Sequence, residues 1–301
     1  MSSAERAASL ITTLEPEELR ILIALELCMQ KFSFVPLNDI AKYSGLNKGK
    51  VEHFLRGLDR KDLLYRQHEP YLGYILNYTG YDCLALNALA KMNIINSLGR
   101  PLGVGKEADI YEAITDEDEQ VALKFHRLGR TSFRETRKKR SYVANRRHLT
   151  WYYQSRLAAE KEYDFLKIAQ SAGVNVPKPY AQNRHVVVMD FIEGVDLIDI
   201  NEIEDTEGLL DEIIENIRLT YKAGLIHGDL SSFNIVLQKN GTPLFIDWPQ
   251  AEPVDHPNSE ALITRDVENV LTHFKRKFFI ERDLDEVVKY VTSGTPTSQE
   301  S

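Results

Sequence analysis

Leu225–Asn234 reads LIHGDLSSFN. His227, Asp229 and Asn234 keep the spacing of a phosphoryl-transfer loop, H-R-D-x-x-x-x-N, but Gly228 stands where that loop has arginine. The chemistry needs these residue types. A carboxylate, Asp229, can take a proton from an attacking hydroxyl or orient the nucleophile, and the amide oxygen of Asn234 can hold a metal. Downstream, Phe245–Pro249 (FIDWP) sets Asp247 where comparable loops have Asp-Phe-Gly. Asn234 and Asp247, on either side of one predicted hairpin, are hard oxygen ligands suited to Mg²⁺ (with Mn²⁺ as a substitute) bridging two phosphates.

Working upstream, Gly103-Val104-Gly105, followed by Lys106, Glu107 and Ala108, lies between predicted strands. Backbone N–H groups there could cradle phosphates, although tight hairpins use glycine as readily. VALK, ending at Lys124, resembles a strand that aims a lysine at nucleotide phosphates. Glu162, on the helix expected over 150–172, is placed to pair with Lys124, whereas Glu160 faces another side of that helix. VVVMDFIEG reads as a strand entering a hinge. Met189 would back an adenine pocket, and backbone groups of Asp190 and Ile192 would meet the adenine edge, with Ile246 beside Asp247 completing the nucleotide contacts. Each feature alone has a bland reading, such as a core methionine or a strand-end cap. Their order along the chain is what predicts a phosphotransferase fold, with catalytic residues Lys124, Asp229 and Asp247. Gly228, the lack of Ala-Pro-Glu after Asp247 and the short remainder to Ser301 predict that phospho-switching and a protein-substrate platform are reduced.

The N-terminal third has a different pattern. Helices are expected over 16–30, 37–44 and from Asn47, a candidate N-cap, with Val51, Phe54, Leu55 and Leu58 on one face. A hairpin turning near Pro70 and a linker helix over 80–97 follow. That is a winged helix-turn-helix. Further helices are expected over 206–223, 260–279 and 283–291. The net charge is −8, yet it is unevenly placed. Residues 127–147 carry Arg127, Arg130, Arg134, Arg137, Lys138, Lys139, Arg140, Arg146 and Arg147 against Glu135, while 202–215 is acidic. With 43% hydrophobic and 27% charged residues, no long apolar run, no basic-flanked leader, and Cys28 and Cys83 in apolar contexts, a cytoplasmic protein without a membrane partner is expected.

The chain resembles the RIO atypical serine/threonine kinases, in the branch with an N-terminal winged helix and in its archaeal form. GVGKEADIY resembles that branch's phosphate loop, LGRTSFR its signature after the strand lysine, and SRLAAEKEYDFL its glutamate helix. HGDLSSFN, IDWPQ and RDVENVLTHF resemble its catalytic loop, metal loop and closing helix. The family's usual serine is Ala108 here, which removes a hydroxyl from the phosphate contacts. The resemblance implies an α+β chain, a winged helix followed by a compact bilobal kinase-like domain with a truncated C-lobe. The corresponding domains are 1–97, an N-lobe over 98–188, a C-lobe over 189–291 and a disordered tail over 292–301. It implies ATP and Mg²⁺, autophosphorylation, a phosphoryl-accepting Asp247, and assistance to small ribosomal subunit maturation, with rRNA and ribosomal proteins as partners. The basic segment, expected as a mobile loop, would meet rRNA phosphates. Two rivals stand beside this. An aminoglycoside- or choline-kinase-like phosphotransferase shares the HGD loop but lacks a winged helix. A DNA-binding regulator with a degenerate kinase domain conflicts with intact Lys124, Asp229, Asn234 and Asp247, and its sequence-specific DNA contact is not expected.

Overall fold

The computed structural model describes residues 1–128 and 141–293, with backbone alone over 141–151. Contacts divide them into two compact units: Met1–Leu157 with Ala181–Val186, and Ala158–Tyr180 with the described residues from Val187 onward.

The first unit begins with α1 (Ser3–Ile11), which the sequence reading missed. Its start is a capping box: the Ser2 hydroxyl accepts from Glu5 N–H, and Ser2 N–H donates to the Glu5 carboxylate. Helices α2 (Pro16–Cys28), α3 (Leu37–Ser44) and α4 (Lys48–Arg60) follow as expected. Gly45 ends α3 in the left-handed region, at φ 66°. Asn47 starts α4, its side-chain oxygen accepting from Lys50 N–H at 2.9 Å. Val51, Leu55 and Leu58 are fully buried. Strands β1 (Val35–Pro36), β2 (Leu64–Gln67) and β3 (Gly73–Leu76) make the wing, in the order β1-β3-β2.

Helix α5 (Tyr78–Lys91) stops short of the expected residue 97. Met92, Ile94 and Ile95 continue its apolar spacing, but Asn93 turns left-handed (φ 56°) and Asn96 N–H already donates to Ile114 O at 2.8 Å. Strands β4 (Ser97–Val104), β5 (Ala108–Ile114) and β6 (Gln120–His126) form an antiparallel meander. The sheet continues with β8 (Val186–Asp190) and then β7 (Pro179–Asn183), strands that belong in part to this unit.

Helix α6 runs Ser141–Ser171, so residues 141–147 are helical and not part of a loop. Arg130, Arg134, Arg137, Lys138, Lys139 and Arg140 lie outside the described residues, as does the tail from 294.

The second unit holds the C-terminal part of α6, β9 (Gly194–Asp196), α7 (Thr206–Lys222), β10 (Leu225–Ile226), β11 (Ile235–Gln238), β12 (Pro243–Phe245), β13 (Glu252–Pro253), α8 (Ser259–Phe278) and α9 (Leu284–Thr292). The tail was expected from 292, but Thr292 still belongs to α9. Strands β12-β11-β9 form one small antiparallel sheet and β10-β13 another. Phe245, Trp248 and Phe274 are fully buried in its core, with Leu210, Ile213 and Ile217 of α7. No helix of the described residues is long and apolar enough to cross a membrane.

Candidate active site

The chain leaves β10 as His227-Gly228-Asp229, and Gly228 sits at φ 76°. A Cβ on Gly228 would lie 2.5 Å from the carbonyl oxygen of Gln250. Glycine here is therefore a backbone requirement: an arginine would be strained and would collide. The peptides around Asp229 are gripped from α8. The Asp266 carboxylate accepts from Gly228 N–H at 2.7 Å and Leu230 N–H at 3.0 Å. Arg265 donates to the Gly228 carbonyl, and the Asn269 amide donates to the Leu230 carbonyl at 3.0 Å. Burial raises the Asp266 carboxyl to about 6, against the downward pull of its two amide donors. Asp229 itself is exposed. The result is a rigid loop with one carboxylate presented outward. The sequence reading missed Arg265, Asp266 and Asn269 as parts of this site.

Asn234 and Asp247 are brought close by the β11–β12 hairpin, whose register sets Ile235 opposite Phe245. Ile246 N–H donates to Asn234 O at 3.0 Å. The Asn234 amide nitrogen donates to the Asp229 carbonyl at 2.7 Å, which fixes the amide and leaves its oxygen on the other side. Asp247 is exposed and left-handed, at φ 66°, and both its neighbours are tied down. His227 Nε2–H donates to Ile246 O at 2.9 Å. Trp248 N–H donates to Glu162 Oε1 at 3.1 Å, and its indole N–H donates to Phe245 O at 3.0 Å. The His227 ring packs against Trp248 with centroids 4.7 Å apart. Burial pushes His227 down to about 4, so the imidazole is neutral and serves as a strut for the metal loop. Glu162 is 1% exposed and Glu160 is half-buried.

In the first unit, Gly103 and Val104 end β4, Gly105–Glu107 make the turn and Ala108 opens β5. Gly105 N–H donates to Ala108 O at 2.8 Å, and the β4–β5 register slips at Pro101 and again at Gly103. A Cβ on Gly103 would meet nothing within 4 Å. Lys124 sits opposite Ile110 in the sheet and is 5% exposed. It belongs to the first unit and Glu162 to the second.

Met189 is buried near the end of β8. One expectation changes at Asp190, whose N–H donates to Lys178 O at 3.0 Å and so is not open to an adenine edge. Its carboxylate accepts from Lys178 N–H and the Tyr180 hydroxyl, at 2.9 and 2.6 Å. Ile192 follows beyond the strand end. Arg127, counted with the basic run, is fully buried in an ion pair with Asp82 and Asp109 and offers no charge to RNA.

Known proteins resemble the chain along most of its length. The family model described as the RIO domain matches residues 109–287, and the Rio2 N-terminal model matches residues 11–92. The chain is 38% identical over 274 residues to the RIO-type serine/threonine-protein kinase Rio2 of Methanocaldococcus jannaschii, covering 88% of this chain and 100% of that one. It is 40% identical over 276 residues to serine/threonine-protein kinase RIO2 of Caenorhabditis elegans, covering 91% of this chain and about half (52%) of that longer relative. A crystal structure of the Rio2 kinase–ADP/Mg²⁺–phosphoaspartate complex from Chaetomium thermophilum superimposes with a TM-score of 0.84 at 34% identity, covering 96% of this chain and 90% of that one. The chain belongs to the RIO kinase family, in its Rio2 branch.

Proposed function

We propose that this protein is an ATP-dependent serine/threonine kinase and ATPase in which Asp247 takes up the γ-phosphoryl group. The observation that carries this reading is Asp247 itself: an exposed carboxylate held left-handed between two anchored neighbours, with Asn234 alongside. A Rio2 relative has been crystallised with ADP, Mg²⁺ and a phosphoaspartate. Asn234 and Asp247 fit Mg²⁺, which keeps few protein ligands and fills its sphere with phosphate oxygens and water. When bound, the ion supplies charge neutralisation at the transferring phosphate.

In this scheme the turn Gly103–Ala108 and Lys124 hold phosphates, and Met189, the Asp190 carbonyl, Ile192 and Ile246 contact the base. A carboxylate oxygen of Asp247 attacks the γ-phosphorus, the bond to the β-phosphate oxygen breaks and ADP leaves. Asp229 then accepts a proton from a water or hydroxyl that attacks phosphorus of the acyl phosphate; the bond from phosphorus to the Asp247 oxygen breaks, giving phosphate or a phosphoester and regenerating the Asp247 carboxylate. Calorimetry of Asn234→Ala and Asp247→Ala tests the assignment: Mg²⁺-ATP binding weakens in both, and unchanged affinity in both would sink it.

We also propose that the protein associates with precursors of the small ribosomal subunit. The support is its place in the Rio2 branch and the basic run that extends from Arg130 to Arg147. Gradient sedimentation of a lysate tests this, with co-migration at low salt expected. Recovery only as free protein would refute it.

A further inference from the structure

Arg127 follows β6, and its side chain is locked into a buried ion cluster. Its two terminal nitrogens donate to both oxygens of Asp82 on α5, at 2.6 and 2.8 Å. Its Nε donates to Asp109 of β5 at 3.0 Å. His185, in the β7–β8 turn, has Nε2 2.7 Å from the same Asp82, and Tyr81 stacks on its ring at 4.5 Å. All four members of the cluster are less than 2% exposed. Burial pushes His185 down to about 4, so it is neutral, and the guanidinium is the cation that two carboxylates share. Burial alone would raise Asp82, but Arg127 and His185 outweigh it and hold it at about 2.

The backbone of the same residue reaches the turn. Arg127 N–H donates to the Glu107 carbonyl at 2.6 Å. Arg127 therefore fixes Glu107 through its main chain and Asp109 through its side chain, on both sides of Ala108. The residues Gly103–Glu107 are otherwise exposed. We infer that Asp82 is a positioning residue for the Gly103–Ala108 turn, acting through Arg127, so that α5 of the N-terminal domain sets the geometry of phosphate binding. This rests on the reading of that turn as the phosphate holder. With Asp82 made neutral, Asp109 is the carboxylate left to attract the buried guanidinium. Here that would swing Arg127 toward Asp109 and carry its N–H, and Glu107 with it.

The test compares Mg²⁺-ATP with adenosine, which has the base but no phosphates, on the full chain. Asp82→Asn keeps the shape and removes the charge. ATP affinity falls roughly tenfold, about one charge-assisted hydrogen bond to phosphate, and adenosine affinity does not change. Should that variant not fold, Arg127→Lys carries the test, since one ammonium cannot replace the fork across Asp82 and Asp109. Arg184→Ala removes a neighbouring tie, the Arg184–Glu26 pair at 2.7 Å, without touching Arg127, and keeps wild-type ATP affinity. Equal losses for ATP and adenosine, or no loss, would overturn the inference. Gly105→Val separates the two readings. If it weakens ATP and Asp82→Asn does not, only the coupling falls; if it leaves ATP untouched, the turn does not hold phosphates and both readings fall.

Discussion

Gly228→Ala adds one carbon atom to the catalytic loop, and the structure sets its cost. Moving a non-glycine residue into the left-handed region costs about 1–2 kcal/mol. The new Cβ would also stand 2.5 Å from Gln250 O, where ordinary contact begins at 3.4 Å, so backbone on one side must give way. Gln250 precedes β13, which pairs with β10, and Gly228 N–H is held by Asp266, so neither side moves without weakening a hydrogen bond. One strained bond adds about 1–3 kcal/mol. A total of about 2–5 kcal/mol lowers the melting temperature by something near 10 °C for a unit of this size. Gly241 is the internal control. It has φ 88° and open space around its missing Cβ, so Gly241→Ala pays the conformational term alone. The assay is thermal unfolding of both variants, followed by ATP turnover well below both midpoints. Gly228→Ala should melt clearly lower than Gly241→Ala and turn over ATP slowly, because Asp229 is displaced with the loop. Equal melting temperatures for the two variants would refute the close-approach argument.

Two pH effects follow from buried groups. With Asp266 raised to about 6, acidification below that value protonates the carboxylate that accepts from Gly228 and Leu230, so turnover falls on an acid limb near pH 6 that Asp266→Asn removes; a limb that survives in Asp266→Asn refutes this. The stability sign is the opposite: a raised carboxyl favours the fold most below its ordinary 3.8, and that contribution is lost as pH rises through 6. His185 and His227, held neutral down to about 4, take up protons on unfolding, so their contribution is full above 6.5 and is lost as pH falls toward 4. Two imidazoles outweigh the one carboxyl, so urea midpoints should drop between pH 6.5 and 4.5, and a flat profile would contradict the buried neutral state.

Local signals carried much of the fold. The expected helix over 37–44 matches α3, and the Asn47 cap with the apolar spacing of Val51, Leu55 and Leu58 marks the start and buried face of α4. The Ser2–Glu5 capping box was equally local and could have revealed α1. The end of α5 was not legible, because the apolar run past Met92 continues the helical period while sheet pairing at Asn96 takes over. Arg127 shows the sharper limit. By composition it begins a basic run, and only Asp82 and Asp109, 45 and 18 residues away, turn it into a buried ion cluster. Gly228 was legible as a departure from a motif, but its cause, the Gln250 carbonyl, appears only in three dimensions. The Asp266 clamp was hidden for the same reason: within RDVENVL it reads as an ordinary helix residue, and nothing local says that its carboxylate caps the loop around Asp229.

The measurement closest to the central claim is intact-protein mass after incubation with Mg²⁺-ATP, with and without hydroxylamine, which cleaves acyl phosphates and spares phosphoserine and phosphothreonine. The account predicts one phosphoryl group that hydroxylamine removes, absent from Asp247→Ala and retained in variants of serines outside the loop. A hydroxylamine-labile phosphoryl group persisting in Asp247→Ala, or none at all in a wild-type protein that hydrolyses ATP, would contradict it.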